Sequence, residues 1–153
     1  MSEWVRLAVP VLAAVTVAQP VHAVQFMTGA QSQRLSFPDA TEFRRIDQQA
    51  WIVQVQGQTT GHYVLDRVIG KHLYIDYAVT LDSSGKVQRV DILQYREAYG
   101  GQVRDPSWLA QFVGKGRNST LEVGSDIRNI SGATLSSEHI TAGVKRILAR
   151  YGG

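Results

Sequence analysis

The stretch Tyr77-Ala78-Val79-Thr80-Leu81-Asp82-Ser83-Ser84-Gly85-Lys86-Val87-Gln88-Arg89-Val90-Asp91-Ile92-Leu93 reads as two strands and the turn between them. β-Branched and aromatic residues on both sides suit a pleated backbone. Asp82-Ser83-Ser84-Gly85 supplies local side-chain acceptors and a glycine free to take positive φ. Strands joined by so short a connection are most simply antiparallel neighbours, and the pattern predicts them over residues 73–81 and 87–95. Upstream, residues 62–68 have the same composition. Residues 50–56 alternate Trp51, Val53 and Val55 with Ile52, Gln54 and Gln56, close to the period of two that a strand requires. The sequence therefore predicts an antiparallel sheet packed with helices, an α+β fold in a single domain.

Three helices are expected around that sheet. The first covers residues 29–36 and is closed by Pro38, because proline disfavours helix at the residue before it. The second starts at Pro106, a favoured first-turn proline, and carries Trp108, Leu109, Phe112 and Val113 on one face until Gly114 stops it. The third places Ile140, Val144, Ile147 and Leu148 at i, i+4, i+7 and i+8, a stripe expected to lie on one face of the sheet.

Composition narrows the chemistry. Of 153 residues, 44% are hydrophobic and 19% charged, which suits one globular domain and is too apolar for a disordered chain. A net charge of +3 without a basic stripe argues against a dedicated nucleic-acid binder. The absence of cysteine removes disulfides, thiolate metal sites and cysteine nucleophiles together. Residues 7–18 form an uncharged apolar run of about a dozen residues, near a signal-peptide core and short of the roughly 20 needed to span a bilayer. Val21-His22-Ala23 ends in a small-residue cleavage pattern, although Glu3 cancels Arg6 ahead of it. The expectation is a signal peptide over residues 1–23, with a retained helical anchor as the alternative, and a domain over residues 24–153. Export would place the protein where free nicotinamide cofactors are scarce, favouring a cofactor that cannot diffuse away.

Familiar catalytic templates are missing. Gly114-Lys115-Gly116 lacks the third glycine and the strand-to-helix setting of a dinucleotide fingerprint. His62, His72 and His139 are scattered without carboxylates at ligand spacing, and no glycine-flanked serine elbow occurs. The segment that does stand out is Ile130-Ser131-Gly132-Ala133-Thr134-Leu135-Ser136-Ser137, leading into the last helix. Ser131, Gly132 and Ala133 let a bulky group approach the backbone, and Ser136 or Ser137 can cap the helix. A helix start is a ready anion site, and the Thr134 hydroxyl is well sited to carry or contact a phosphate. The same residues also make an ordinary tight turn with an N-cap, and the two readings stay open on physical grounds.

Ser131-Gly132-Ala133-Thr134-Leu135-Ser136-Ser137 resembles the flavinylation motif of the FMN-binding domain family, exported modules similar to the C subunit of sodium-pumping NADH:quinone reductase and the G subunit of the Rnf complex. Arg96-Glu97-Ala98-Tyr99-Gly100-Gly101 resembles the family's glutamate and glycine turn near the flavin. Trp108 and Gln111-Phe112-Val113-Gly114-Lys115 resemble its aromatic helix, and Leu35-Ser36-Phe37-Pro38 and Val68-Ile69-Gly70-Lys71 resemble small stand-alone members.

The resemblance implies FMN joined through its phosphate to Thr134 by a flavin transferase, with Ser131, Gly132, Ala133, Leu135 and Ser136 around the ester. It places Glu97, Tyr99, Gly100 and Gly101 near the flavin, and Tyr95 or Tyr99 against a ring face, each with a purely structural alternative. The implied role is periplasmic or extracytoplasmic electron relay from a membrane redox partner, a haem or flavin reductase, more an electron carrier or redox subunit than a stand-alone enzyme. One residue departs from the pattern. Arg128 stands six positions before Thr134, where the family usually has aspartate, and Asp126 lies two positions earlier. Arg128 either forks onto the phosphate or interferes with the transferase. In the latter case FMN binds without a covalent bond, or the domain is a flavin-free binding or scaffold module.

Overall fold

The computed structural model describes residues 24–98 and 100–153. The expected signal peptide, residues 1–23, and Tyr99 lie outside the described residues. The elements in chain order are β1 (Val24–Gln25), α1 (Gly29–Ser36), β2 (Glu42–Asp47), β3 (Ala50–Val55), β4 (Gln58–Ile69), β5 (Tyr74–Asp82), β6 (Val87–Tyr95), α2 (Pro106–Leu109) and α3 (Thr134–Tyr151). They form an α+β domain with one six-stranded sheet in the order β1-β6-β5-β4-β3-β2. Every strand pair is antiparallel.

The decisive hairpin forms as its residues dictate. Asp82 Oδ1 accepts from the Ser84 and Lys86 amides at 2.9 and 3.0 Å, and Gly85 takes φ +78° to close the turn. β6 carries two bulges against β5, opposite Asp76/Tyr77 and Thr80/Leu81. A bulge adds one residue and resets the alternation. Val87, Val90, Ile92 and Tyr95, not evenly spaced by two, consequently all enter the same core.

α3 covers one face of the sheet, as its stripe predicts. Ile140, Val144, Ile147 and Leu148 pack with Val64, Ile75, Tyr77 and Val79. The opposite face holds a smaller cluster of Phe37, Val53, Tyr63, Ala78 and Leu93, covered by α1. Thr28 caps α1 by accepting from Gln31 N–H at 3.1 Å, and the Gln31 side chain accepts from Thr28 N–H at 2.8 Å. Ser32 donates to buried Asp91 at 2.8 Å, so the polar face of this short helix also satisfies the sheet. Gly61 lies so close to β5 that an added Cβ would fall 2.1 Å from the Leu81 carbonyl oxygen, which explains a glycine inside a strand.

Two strands escaped sequence reading. β1 has only two residues, and β2, Glu-Phe-Arg-Arg-Ile-Asp, is a largely exposed edge strand whose two faces differ little in polarity. The second helix is shorter than expected. One α-helical turn over Pro106–Leu109 tightens into a 3-10 turn over Ala110–Phe112, and Gly114 ends it at φ +82°. Trp108 and Phe112 are buried together, but Val113 is 54% exposed and does not share their face.

Candidate functional site

The site is delivered by a loop that the α2 turn holds in place. Asp105 opens that turn by accepting from Ser107 N–H at 2.8 Å. Trp108 then donates its indole N–H to the Arg128 carbonyl at 2.7 Å, and the Gln111 side-chain oxygen accepts from Arg128 N–H at 2.8 Å. Lys115 reaches Asp126 at 2.9 Å, and the same carboxylate accepts from the Leu121 and Glu122 amides at 3.1 and 2.9 Å. Burial pushes the Asp126 carboxyl up, but these amides and Lys115 outweigh it and bring it to about 2. The aromatic-helix residues thus anchor the backbone that leads to residues 131–134.

From there the chain enters a turn closed by Ala133 N–H on the Ile130 carbonyl at 3.0 Å, with Gly132 at φ +82°. α3 starts directly at Thr134, with Ala133 as its cap and no side-chain capping bond. The expected serine caps are corrected accordingly. Ser137 lies inside the first turn and donates back to the Ala133 carbonyl at 2.9 Å, while Ser136 is hydrogen-bonded to Tyr95. Without a side-chain cap, the Thr134, Leu135 and Ser136 amides have no intrahelical acceptor. Thr134 is exposed, and its hydroxyl accepts from Asn129 Nδ2 at 3.2 Å.

A cavity of about 240 Å³ adjoins this helix start, lined by Lys71, Glu97, Gly100 and residues 132–136. Gly100 needs its glycine twice: φ is +81°, and an added Cβ would sit 2.7 Å from the Tyr95 hydroxyl. The cavity brings Gly132, Ala133, Thr134, Leu135, Ser136, Glu97 and Gly100 together. Ser131 is exposed in the preceding turn, and Gly101 lines a neighbouring depression shared with Gly100, Arg104 and Asp105.

Three further residues do not fit their expected places. Tyr95 is 4% exposed, a core residue with no face for a ring to stack on. Arg128 is absent from the cavity lining. Asp105 is held below the usual carboxylate range mainly by the Ser107 hydroxyl and amide and in smaller part by the Arg128 charge. Asp126 is committed to its own loop and to Lys115, and does not line the cavity beside Thr134. Sequence reading also missed Asn129 as the partner of Thr134 and Lys71 as a cavity residue. The first has only proximity as a signal, and the second is 63 positions from Thr134 and joins it at one cavity only in the fold.

Glu97 lines the cavity but spends its carboxylate on the β4–β5 turn. Oε1 accepts from the His72 and Leu73 amides at 2.5 and 2.7 Å. Burial raises its pKa, yet the Leu73, His72 and Lys71 amides together hold it below the ordinary value of 4.5. A depressed carboxylate contributes stability that is present above its unfolded pKa and lost as pH falls through the folded one. Amide protons of His72 and Leu73 are therefore expected to stay protected at pH 6 and to lose protection well below pH 4.5, as read by hydrogen exchange. Protection unchanged by acid, or unchanged in Glu97→Ala, would refute the clamp.

An exposed hydroxyl on the first residue of an 18-residue helix, beside open amides, a glycine turn and a cavity holding a lysine, is an arrangement that can receive a phosphate-bearing ligand. The FMN-binding domain profile matches residues 70–149, more than half of the chain, and the chain belongs to that family. No curated protein matches it. The match starts at Gly70 and covers β5, β6, the α2 turn and most of α3, so the resemblance noted at residues 35–38 lies outside it. FMN is thus the cofactor of this domain, and its broad role is flavin-based electron transfer. The residues present fit the phosphate end of FMN: Gly132 leaves open space where a Cβ would stand, and Ala133 keeps the cavity wall small.

Proposed function

We propose that the protein is an extracytoplasmic electron carrier whose FMN is esterified through its phosphate to Thr134. The observation that carries this reading is the Thr134 hydroxyl itself, exposed at the helix start and beside the cavity. Ester formation needs an activated flavin donor of the phosphoanhydride class, because free FMN would have to expel hydroxide. The Thr134 oxygen bonds to phosphorus, the anhydride P–O bond breaks, a nucleoside monophosphate leaves, and the hydroxyl proton passes to the transferase or to water. When bound, FMN supplies one- and two-electron chemistry. The chain's residues tether and orient: the α3 amides and the Gly132 turn receive the phosphate, and the Glu97-held turn and Gly100 shape the adjoining wall.

Residues 1–23 act as the export signal in this reading, placing the domain in the periplasm or elsewhere outside the cytoplasm at the inner membrane. A membrane-bound haem or flavin reductase supplies the electrons. The position of Arg128 away from the cavity favours a working site over the flavin-free scaffold, since the acid-to-base change does not fall on the acceptor. Co-expression with a flavin transferase tests both parts at once. The exported protein should begin at Val24 and should exceed its polypeptide mass by roughly 440 Da, the mass FMN adds as an ester. An intact Met1 in the membrane fraction would refute cleavage and favour the retained anchor, and an unshifted mass in the presence of active transferase would refute the ester.

A further inference from the structure

We infer that Lys71 is the cation that binds the FMN phosphate, in the place where sequence reading puts Arg128. The inference rests on the proposed position of that phosphate at Thr134. Among the cavity residues only Lys71 and Glu97 carry charge. Glu97 spends its carboxylate on the backbone amides of the turn that holds Lys71, so it fixes the lysine's backbone without forming an ion pair with its ammonium. Ion pairs among the described residues engage Arg67, Arg89, Arg96, Lys115, Arg146 and Arg150, but not Lys71.

The turn is also tied to α3. His139 Nδ1 lies 2.6 Å from the Ile69 carbonyl, and Gly70 N–H donates to the Leu73 carbonyl at 2.7 Å. Lys71 is therefore held against the same helix whose first residue carries the acceptor hydroxyl. A lysine ammonium is a point charge on a flexible stem, suited to a tetrahedral oxyanion that arrives after folding. Arg128 has its backbone fixed by Trp108 and Gln111 and does not line the cavity.

Two measurements test this separately from the ester. In Thr134→Ala protein, affinities for FMN and for riboflavin, which lacks the phosphate, are read by flavin fluorescence. Adding Lys71→Gln should weaken FMN about tenfold and leave riboflavin unchanged, the size expected for one charge-assisted contact. Lys71→Arg should restore most of the loss, and Arg128→Gln should have no effect. In fully loaded protein, the ³¹P resonance should move in Lys71→Gln and stay in place in Arg128→Gln.

Equal weakening of FMN and riboflavin would make Lys71 merely structural and overturn the inference. An unmoved ³¹P resonance, or a larger effect from Arg128→Gln, would overturn it as well. Phosphate-dependent discrimination by Lys71 in a protein that never gains covalent flavin would refute the ester and uphold the lysine. A covalent ester at Thr134 indifferent to Lys71 would do the reverse.

Discussion

Thr134→Ala is expected to yield a folded domain with no covalent flavin. The substitution removes the one oxygen proposed to bond phosphorus. It costs little stability, because Thr134 is exposed and its hydroxyl only accepts a 3.2 Å bond from Asn129. Alanine is moreover the best helix former at an exposed helical position. Melting should fall within a few degrees of wild type, while the mass excess of roughly 440 Da disappears. Thr134→Ser keeps a hydroxyl and should retain loading. A mutant that still fluoresces on a denaturing gel would remove Thr134 as acceptor and turn attention to Ser131, which is exposed in the same turn.

Trp108→Ala is expected to have the largest effect on stability. The indole is 4% exposed and packs edge-on against Phe112 with ring centroids 5.2 Å apart. Removing a buried tryptophan costs about 3–5 kcal/mol, and the Arg128 carbonyl loses its 2.7 Å donor as well. Against a domain stability of about 5–15 kcal/mol this is a large fraction. Melting should drop by on the order of 10–20 °C. Because Trp108 fixes the segment that precedes the acceptor, flavin loading should fall at temperatures where the mutant is still folded. Trp108→Phe keeps one aromatic ring in the core and loses the rest of the indole with its N–H, so it should cost less than Trp108→Ala, about 1–3 kcal/mol. A Trp108→Ala protein that melts and loads like wild type would sink this account of the loop.

The parts of the fold that sequence patterns revealed are those where local chemistry and burial agree. Asp82, Ser84 and Gly85 belong to a turn by their own side chains, and α3 shows its period in four apolar residues. β2 was illegible because Glu42, Arg44 and Arg45 are exposed at the sheet edge, where no one-sided core imposes alternation. The bulges of β6 hid its true facing pattern, since residues three apart share a face there. At the site, the Ser131 to Thr134 motif was legible as a tight turn leading into a helix, and both its glycine turn and its free helix start exist together. Linear distance misleads on Arg128 and Lys71: six positions from Thr134, Arg128 does not line the cavity, whereas Lys71, in the turn after β4, shares it with Thr134.

The acceptor hydroxyl owes its position to groups scattered through the chain. The loop before it hangs from Trp108, Gln111 and Lys115, and its cavity wall comes from the turn after β4 and the residues after β6. A nascent or unfolded chain has the same seven-residue motif but not that arrangement. A transferase that reads the assembled surface would therefore act as an inspector of finished molecules, and bound flavin would certify that a given copy had already reached its native state.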